Sequence, residues 1–461
     1  MGEDKAPLQT RAEMGSDYSP EKISELLGLL EPKKKFTRKL IEFSARRLPL
    51  SVRKRRTLKT ITAQYLTSSG FNGTNVRLFE DDVASIIALL QDGMIDVVRG
   101  DGHPNPHIKA MKPYSREKQL RKIEQEGLGQ GCIYPSPEHL EKVVDASNYS
   151  GRPYALELAL GRPSLDFAAF NITALEVYKN DPRFRYDVDD AHGNIEYREE
   201  FFDTLKPGEK AELTRFGFGR DSDGNRAIIS FYWDLFKMNP EQQAVWKARE
   251  IDGDFQMHRV FFTTAILGQF YEGNSIYDAI LLEMSFINIY TEELYSEKLF
   301  KETFEQDRPR DFAMLLRPTK RQMNEFVMIL DKLLSENINT QIFSNIQMTK
   351  SAITDDGEKI TKSMGSLTGL ESWLKKIYSF KHSDSPREIL ASFRKVRKLR
   401  QKPAHKHELD IFDQAYFKQQ ENLVIEVFRT LNGIRLLLGR HPKIKDSELP
   451  EWYDDDNIWL P

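Results

Sequence analysis

The chain has 461 residues, 39% of them hydrophobic and 11% aromatic, with a formal net charge of -3. That composition excludes a disordered chain and allows two or three domains. The charge balance gives no global sign of a nucleic-acid binder. The single cysteine, Cys132, excludes a disulfide framework or a cysteine-based zinc site and points to a reducing, cytoplasmic setting. The most apolar run, Ala279-Ile280-Leu281-Leu282, is cut by Glu283 and is too short to span a bilayer.

Residues 1–20 mix Gly, Pro, Ser and charge without period and read as a loose terminus, followed by a short amphipathic helix from Glu21 to Leu30. Between Glu31 and Thr60, twelve basic residues are opposed only by Glu31 and Glu42, an excess of about +10 in an otherwise nearly neutral chain. This basic segment, 31–60, offers Arg53, Lys54, Arg55 and Arg56 as candidate phosphate contacts. The alternative is a solvated helix face paired to acidic segments, since aromatic residues for stacking are sparse there.

Residues 80–98 read as a helix with Val83, Ile86, Ile87, Leu90 and Ile95 on one line. From Gly100 to about Pro163 the chain is rich in turns. His103 and His107 are separated by prolines, which suits a turn better than a metal site. Gly127-Leu128-Gly129-Gln130-Gly131 lacks both a preceding strand and a following Lys-Ser/Thr, which argues against a phosphate-cradling loop. Residues 186–235 carry β-hairpin signals. Tyr186 to Ile195 reads as strand, turn, strand, and Asp221-Ser222-Asp223-Gly224-Asn225 separates two β-rich runs. No Glu follows that turn at EF-hand distance.

From about Pro240 the pattern is mostly helical. A helix over about 318–338 carries Met323, Phe326, Val327, Leu330, Leu333 and Leu334. A polar linker covers about 350–366, and a further helix runs over 368–380. Ser385-Pro386-Arg387-Glu388 is a helix start, and Pro403 should end the helix near Gln401. On a wheel with Ile389 at zero, Phe393 lies near ~40°, Val396 near ~340° and Arg400 near ~20°. Arg400 therefore follows the apolar line, whereas Lys395, Lys398 and Lys402 fall on the far side. An arginine on a buried line must be paired or functional. Glu371 and Asp410 are the acids that could pair with it. A final helix, 411–438, carries Val424, Val427, Phe428, Leu431, Ile434 and Leu438.

Pro403-Ala404 delivers His405 just beyond the helix end, with Lys406 and His407 next. A histidine moves protons near neutrality, and an arginine fork suits charge growing on a phosphate. Arg400, Gln401 and His405 resemble the motif of the HEPN superfamily: an Arg, often a polar residue after it, and a His separated from the Arg by four to six residues, at a helix end in a bundle; His407 also falls inside that spacing. Gln401 departs from the Asn, Asp or His common there.

The resemblance implies a metal-independent, cofactor-free endoribonuclease that acts on RNA as a homodimer, of the toxin or antiphage defence type. Its catalytic residues would be Arg400, His405, Gln401 and His407, with Lys402 and Lys406 contacting RNA. The expected fold is an α+β region, residues 21–312, that senses a phage-derived or cellular trigger. An all-α bundle over 316–445 and an acidic tail over 446–461 follow. The alternative is a non-catalytic nucleic-acid- or protein-binding scaffold dimerising through a degenerate bundle.

Overall fold

The computed structural model describes residues 49–101, 105–271, 273–304, 308–353, 359–380, 382, 385–401, 409–444, 453 and 457–461. The loose terminus, the helix expected at Glu21–Leu30, most of the basic segment, His103, Lys402 to His407 and the acidic run 454–456 lie outside them. The chain forms two compact units, one ending at Val143 and the other beginning at Val144.

In the first unit, helix α1 (Leu50–Thr67) starts after Pro49 and buries Thr57, Ile61 and Tyr65, one turn apart. Strand β1 (Thr74–Asn75), helix α2 (Val83–Gln91) and strand β2 (Ile95–Arg99) follow. Helix α3 (Arg116–Glu126), strand β3 (Gly131–Pro135) and helix α4 (Pro137–Val143) complete the unit. The sheet is antiparallel with order β1-β3-β2. Its core joins Ile61, Ile86, Leu90, Ile95, Val97, Ile123 and Ile133.

Two expectations are corrected here. The helix stops at Gln91, because Gly93 takes φ +71° and reverses the chain, and Ile95 opens a strand. The stretch read as turns holds α3, β3 and α4. Every residue of β3 is buried, so no alternation advertised it. The glycine-rich loop runs from a helix into a strand, the reverse order to a phosphate loop.

The second unit contains helix α5 (Pro153–Ala159), strand β4 (Phe167–Asn171) and helix α6 (Leu175–Asn180). Strands β5 (Phe184–Val188), β6 (His192–Tyr197), β7 (Glu212–Arg220) and β8 (Arg226–Phe231) follow. Helices α7 (Tyr232–Leu235) and α8 (Pro240–Lys247), strand β9 (Gln256–Met257) and helix α9 (Arg259–Ala265) end this part. The sheet order is β4-β8-β7-β6-β5, all antiparallel, with β9 added to β7. Both expected hairpins are present. The Asp221 carboxylate is consumed by the turn, accepting from the Asp223 and Asn225 amides and from Asn225 Nδ2.

The same unit continues with strand β10 (Asn274–Ser275), helix α10 (Ile276–Tyr295) and helix α11 (Lys320–Asp331). A π-helical turn, Lys332–Glu336, extends α11. Strands β11 (Thr349–Ile353) and β12 (Lys359–Ser363) precede helices α12 (Ser366–Ile377), α13 (Ser385–Ile389), α14 (Ala391–Gln401) and α15 (Ala415–Gly439). Strand β13 (Ile458–Trp459) pairs in parallel with β10.

The apolar lines of α10, α11, α12, α14 and α15 close one core, including Ile280, Phe326, Leu330, Trp373, Phe393, Val396, Val427 and Leu431. The fold is thus mixed, with sheets in the N-terminal and middle parts and helices toward the end. Helix α10 draws the bundle core well upstream of residue 316. The bundle is not purely helical, because the expected linker pairs as the β11–β12 hairpin. The end of the chain is not a solvated strip throughout, since Trp459 is 9% exposed and its ring lies 4.8 Å from that of His258.

Glu283, which interrupts the apolar run, has a structural role. It is fully buried on α10 and accepts from Arg435 Nε at 2.7 Å, Asn432 Nδ2 at 2.9 Å and the Tyr453 hydroxyl. The network ties α10 to α15 and satisfies a charge that burial would otherwise make costly.

Candidate functional site

Helix α14 carries the motif. Phe393 and Val396 are fully buried in the bundle core, and Arg400 lies one turn further along the same line. There the line emerges from the apolar core. Arg400 Nη1 donates to Asp331 Oδ2 at 2.7 Å and also to Glu336. Asp331 ends α11 and is fully buried, while Glu336 closes the π-helical turn. The two carboxylates hold the Arg400 guanidinium more firmly in its charged form than usual. Both bonds use Nη1, so Nε and Nη2 are not engaged among the described residues.

The expected partners of Arg400 are corrected. Glu371 pairs with Arg394 and, at 2.9 Å, with Lys375. Burial works against the Glu371 carboxylate, but the Lys375 hydrogen bond and the charges of Lys375 and Arg394 outweigh it and hold it below the usual range. Asp410 instead accepts from the Arg321 amide at 2.9 Å, fastening the chain after the motif to the start of α11. The burial implied by the wheel is corrected as well. Arg400 keeps the line of Phe393 and Val396, but it stands at the end of α14 where that line leaves the core, so its side chain is 34% exposed.

Beside this ion pair, α14 forms one wall of a 220 Å³ cavity lined by Arg394, Arg397, Lys398 and Gln401, with Gly365, Leu367 and Thr368 opposite. The four α14 residues are spaced i, i+3, i+4 and i+7, so one helical face presents them together. Gln401, the polar residue of the motif, thus shares a cavity with three cations. Arg397 Nε reaches Asp331 only at 3.8 Å. The positions of Lys402, His405, Lys406 and His407 lie outside the described residues.

The N-terminal basic candidates divide. Arg53 pairs with Asp82 and Lys54 with Asp92, while Arg55 and Arg56 are exposed on α1. Half of that set therefore serves its own fold.

A second cavity, of 490 Å³, was not foreseen. Asp187, Asp189, His192, Asn194, Thr214, Arg215 and Phe261 contribute to its lining. His192 Nδ1 lies 2.9 Å from Asp189 Oδ2, whose other oxygen accepts the Ala191 and His192 amides at 2.7 Å. The Asp189 hydrogen bond, then its charge, raises the His192 pKa against burial. Arg215 is held by Asp234 at 3.0 Å. The signal was legible: Asp-x-x-His across a predicted hairpin turn brings the two side chains together.

Among the described residues no three His, Cys, Asp or Glu side chains gather as a metal-binding group. No helix among them is long and apolar enough to cross a membrane. No family model, curated protein or solved structure matches this chain.

Proposed function

We propose that this protein is a metal-independent endoribonuclease of the HEPN kind, its site at the end of α14, acting as a toxin or antiphage defence effector under control of its N-terminal region. The observation that carries this reading is the row Arg394, Arg397, Lys398 and Gln401 along one cavity, leading to Arg400 and the His405 that follows α14 in sequence. In the reaction the ribose 2′-oxygen attacks the adjacent phosphorus and the 5′-oxygen leaves. His405 moves the proton, assisted by His407, and the open Nε and Nη2 edge of Arg400 receives charge on the phosphoryl oxygens. Gln401 donates a neutral hydrogen bond. The proposal includes a homodimer whose two motifs meet in one cleft. Leu409, Ile411 and Phe412, just after the motif, expose apolar surface suited to a subunit contact.

The test is cleavage of a labelled RNA by the full chain in the presence of chelator, beside His405→Ala. Cleavage lost only in the variant supports the reading, and two equally inert proteins overturn it.

One observation favours a second reading, a non-catalytic binding scaffold. Asp331 and Glu336 hold Arg400 as a strut between α14 and α11. In that case RNA binds, nothing is cut, and Arg400→Met costs stability alone.

A further inference from the structure

We infer that the 220 Å³ cavity beside α14 is a subsite for a backbone phosphate of the RNA strand, separate from the phosphate that is attacked. The inference rests on the ribonuclease reading for the identity of the strand, and on the cavity itself for the chemistry. Among the described residues, every ionisable side chain lining the cavity is a cation: Arg394, Arg397 and Lys398. The remaining polar side chains, Gln401 and Thr368, bring an amide and a hydroxyl, both able to donate to an anionic oxygen.

The cations are not all consumed by the fold. Arg394 reaches Glu371 through Nη2, yet its Nε is shut from solvent with no hydrogen-bond partner among the described residues. That Nε is closed to a ligand as well, whereas Arg394 Nη1 makes no hydrogen bond among the described residues and is not shut from solvent, so it is the donor open to an anionic oxygen. Among the described residues Arg397 has only its distant approach to Asp331, and Lys398 is exposed.

The lining also limits what binds. Among the described residues it holds no aromatic side chain on which a base could stack, so the site reads charge and not sequence. From Arg394 to Gln401 the face extends about 10 Å along the helix axis. Gln401, next in the chain to Arg400, lies at one end. The cavity therefore grips the strand beside the scissile position and sets its register.

The experiment uses the full chain with His405→Ala, which binds RNA without cutting it. Affinity for a fluorescent single-stranded RNA is measured across a salt series, with and without Arg397→Gln and Lys398→Gln together. Arg394 is left intact because it also anchors Glu371. The double substitution is expected to weaken binding at least tenfold on two unrelated sequences alike and to flatten the salt slope by roughly 0.7 per cation, the single-strand value. Lys395→Gln, which removes an exposed lysine paired to Glu426 outside the cavity, should change neither beyond its own small share. An unchanged slope in the double variant overturns the subsite. AMP is titrated against the same variants, and if its binding is lost while RNA binding persists, the cavity serves a free nucleotide and the inference also fails. The two claims separate cleanly. Cavity-dependent binding with no cleavage by the wild-type chain removes the nuclease and keeps the subsite. Cleavage with cavity-independent binding removes only the subsite.

Discussion

Replacing Arg400 by Met isolates the strut that the end of α14 provides. Asp331 is fully buried and, among the described residues, would keep only Arg397, whose Nε stands 3.8 Å away. Removing one member of a buried ion pair typically costs roughly 3–5 kcal/mol. Arg400 is itself 34% exposed, so solvent screens the pair and that range must be discounted. A loss of about 1–2 kcal/mol follows, nearer the cost of leaving one buried acceptor short of its donor. Asp331→Asn in the same chain removes the stranded charge and should recover part of the loss, giving a coupling of roughly 1 kcal/mol in the cycle. Urea unfolding followed by tryptophan fluorescence reads this, because Trp373 lies in the same core and all five tryptophans fall in the unit that begins at Val144. Arg400→Met as stable as wild type, or strictly additive single losses, would refute the strut.

Three further outcomes are expected. Glu283→Leu strands Arg435, which is only 5% exposed, and should destabilise the bundle by about 3–5 kcal/mol in the same urea assay. Gly217→Ala places a methyl group 2.1 Å from a Phe261 ring carbon, and overpacking of roughly 1–3 kcal/mol should appear as a lowered thermal midpoint. Burial pushes the His258 imidazole down to about 4, with lesser influences from the Leu460 backbone, Arg220, Arg259 and Asp189. Its folded pKa lies below the unfolded value near 6.5, so the stability it contributes is complete above that value. It is lost as pH falls from about 6.5 toward 4. His258→Gln should flatten that part of the stability–pH curve, and an unchanged curve would contradict the assignment.

Much of the bundle was legible because its apolar lines have helical period. Met323, Phe326, Val327, Leu330, Leu333 and Leu334 are all buried as that period requires. Both middle hairpins were legible from local turn chemistry at Asp189–Ala191 and Asp221–Asn225. Strand β2 was absorbed into the preceding helix because its apolar residues follow closely on Leu90, although Ile95 falls about 140° from Leu90 on a helical wheel and so off the apolar line. The β11–β12 hairpin was hidden by a polar composition that resembles a linker. At the site, the row of α14 residues follows from spacing alone. The acids that hold Arg400 are 69 and 64 residues earlier in the chain, and only the packing of α11 against α14 identifies them. The His192–Asp189 pair was within reach of sequence reasoning, since its spacing and its turn were both in view.

The central claim is that a 2′-hydroxyl attacks its own phosphodiester at the end of α14. The most direct test incubates the wild-type chain, in chelator, with an RNA and with the same strand carrying 2′-O-methyl groups throughout. The account predicts cleavage of the RNA alone, leaving 2′,3′-cyclic phosphate ends, and none with His405→Ala. Cutting of the methylated strand, or an RNA left intact, would contradict it.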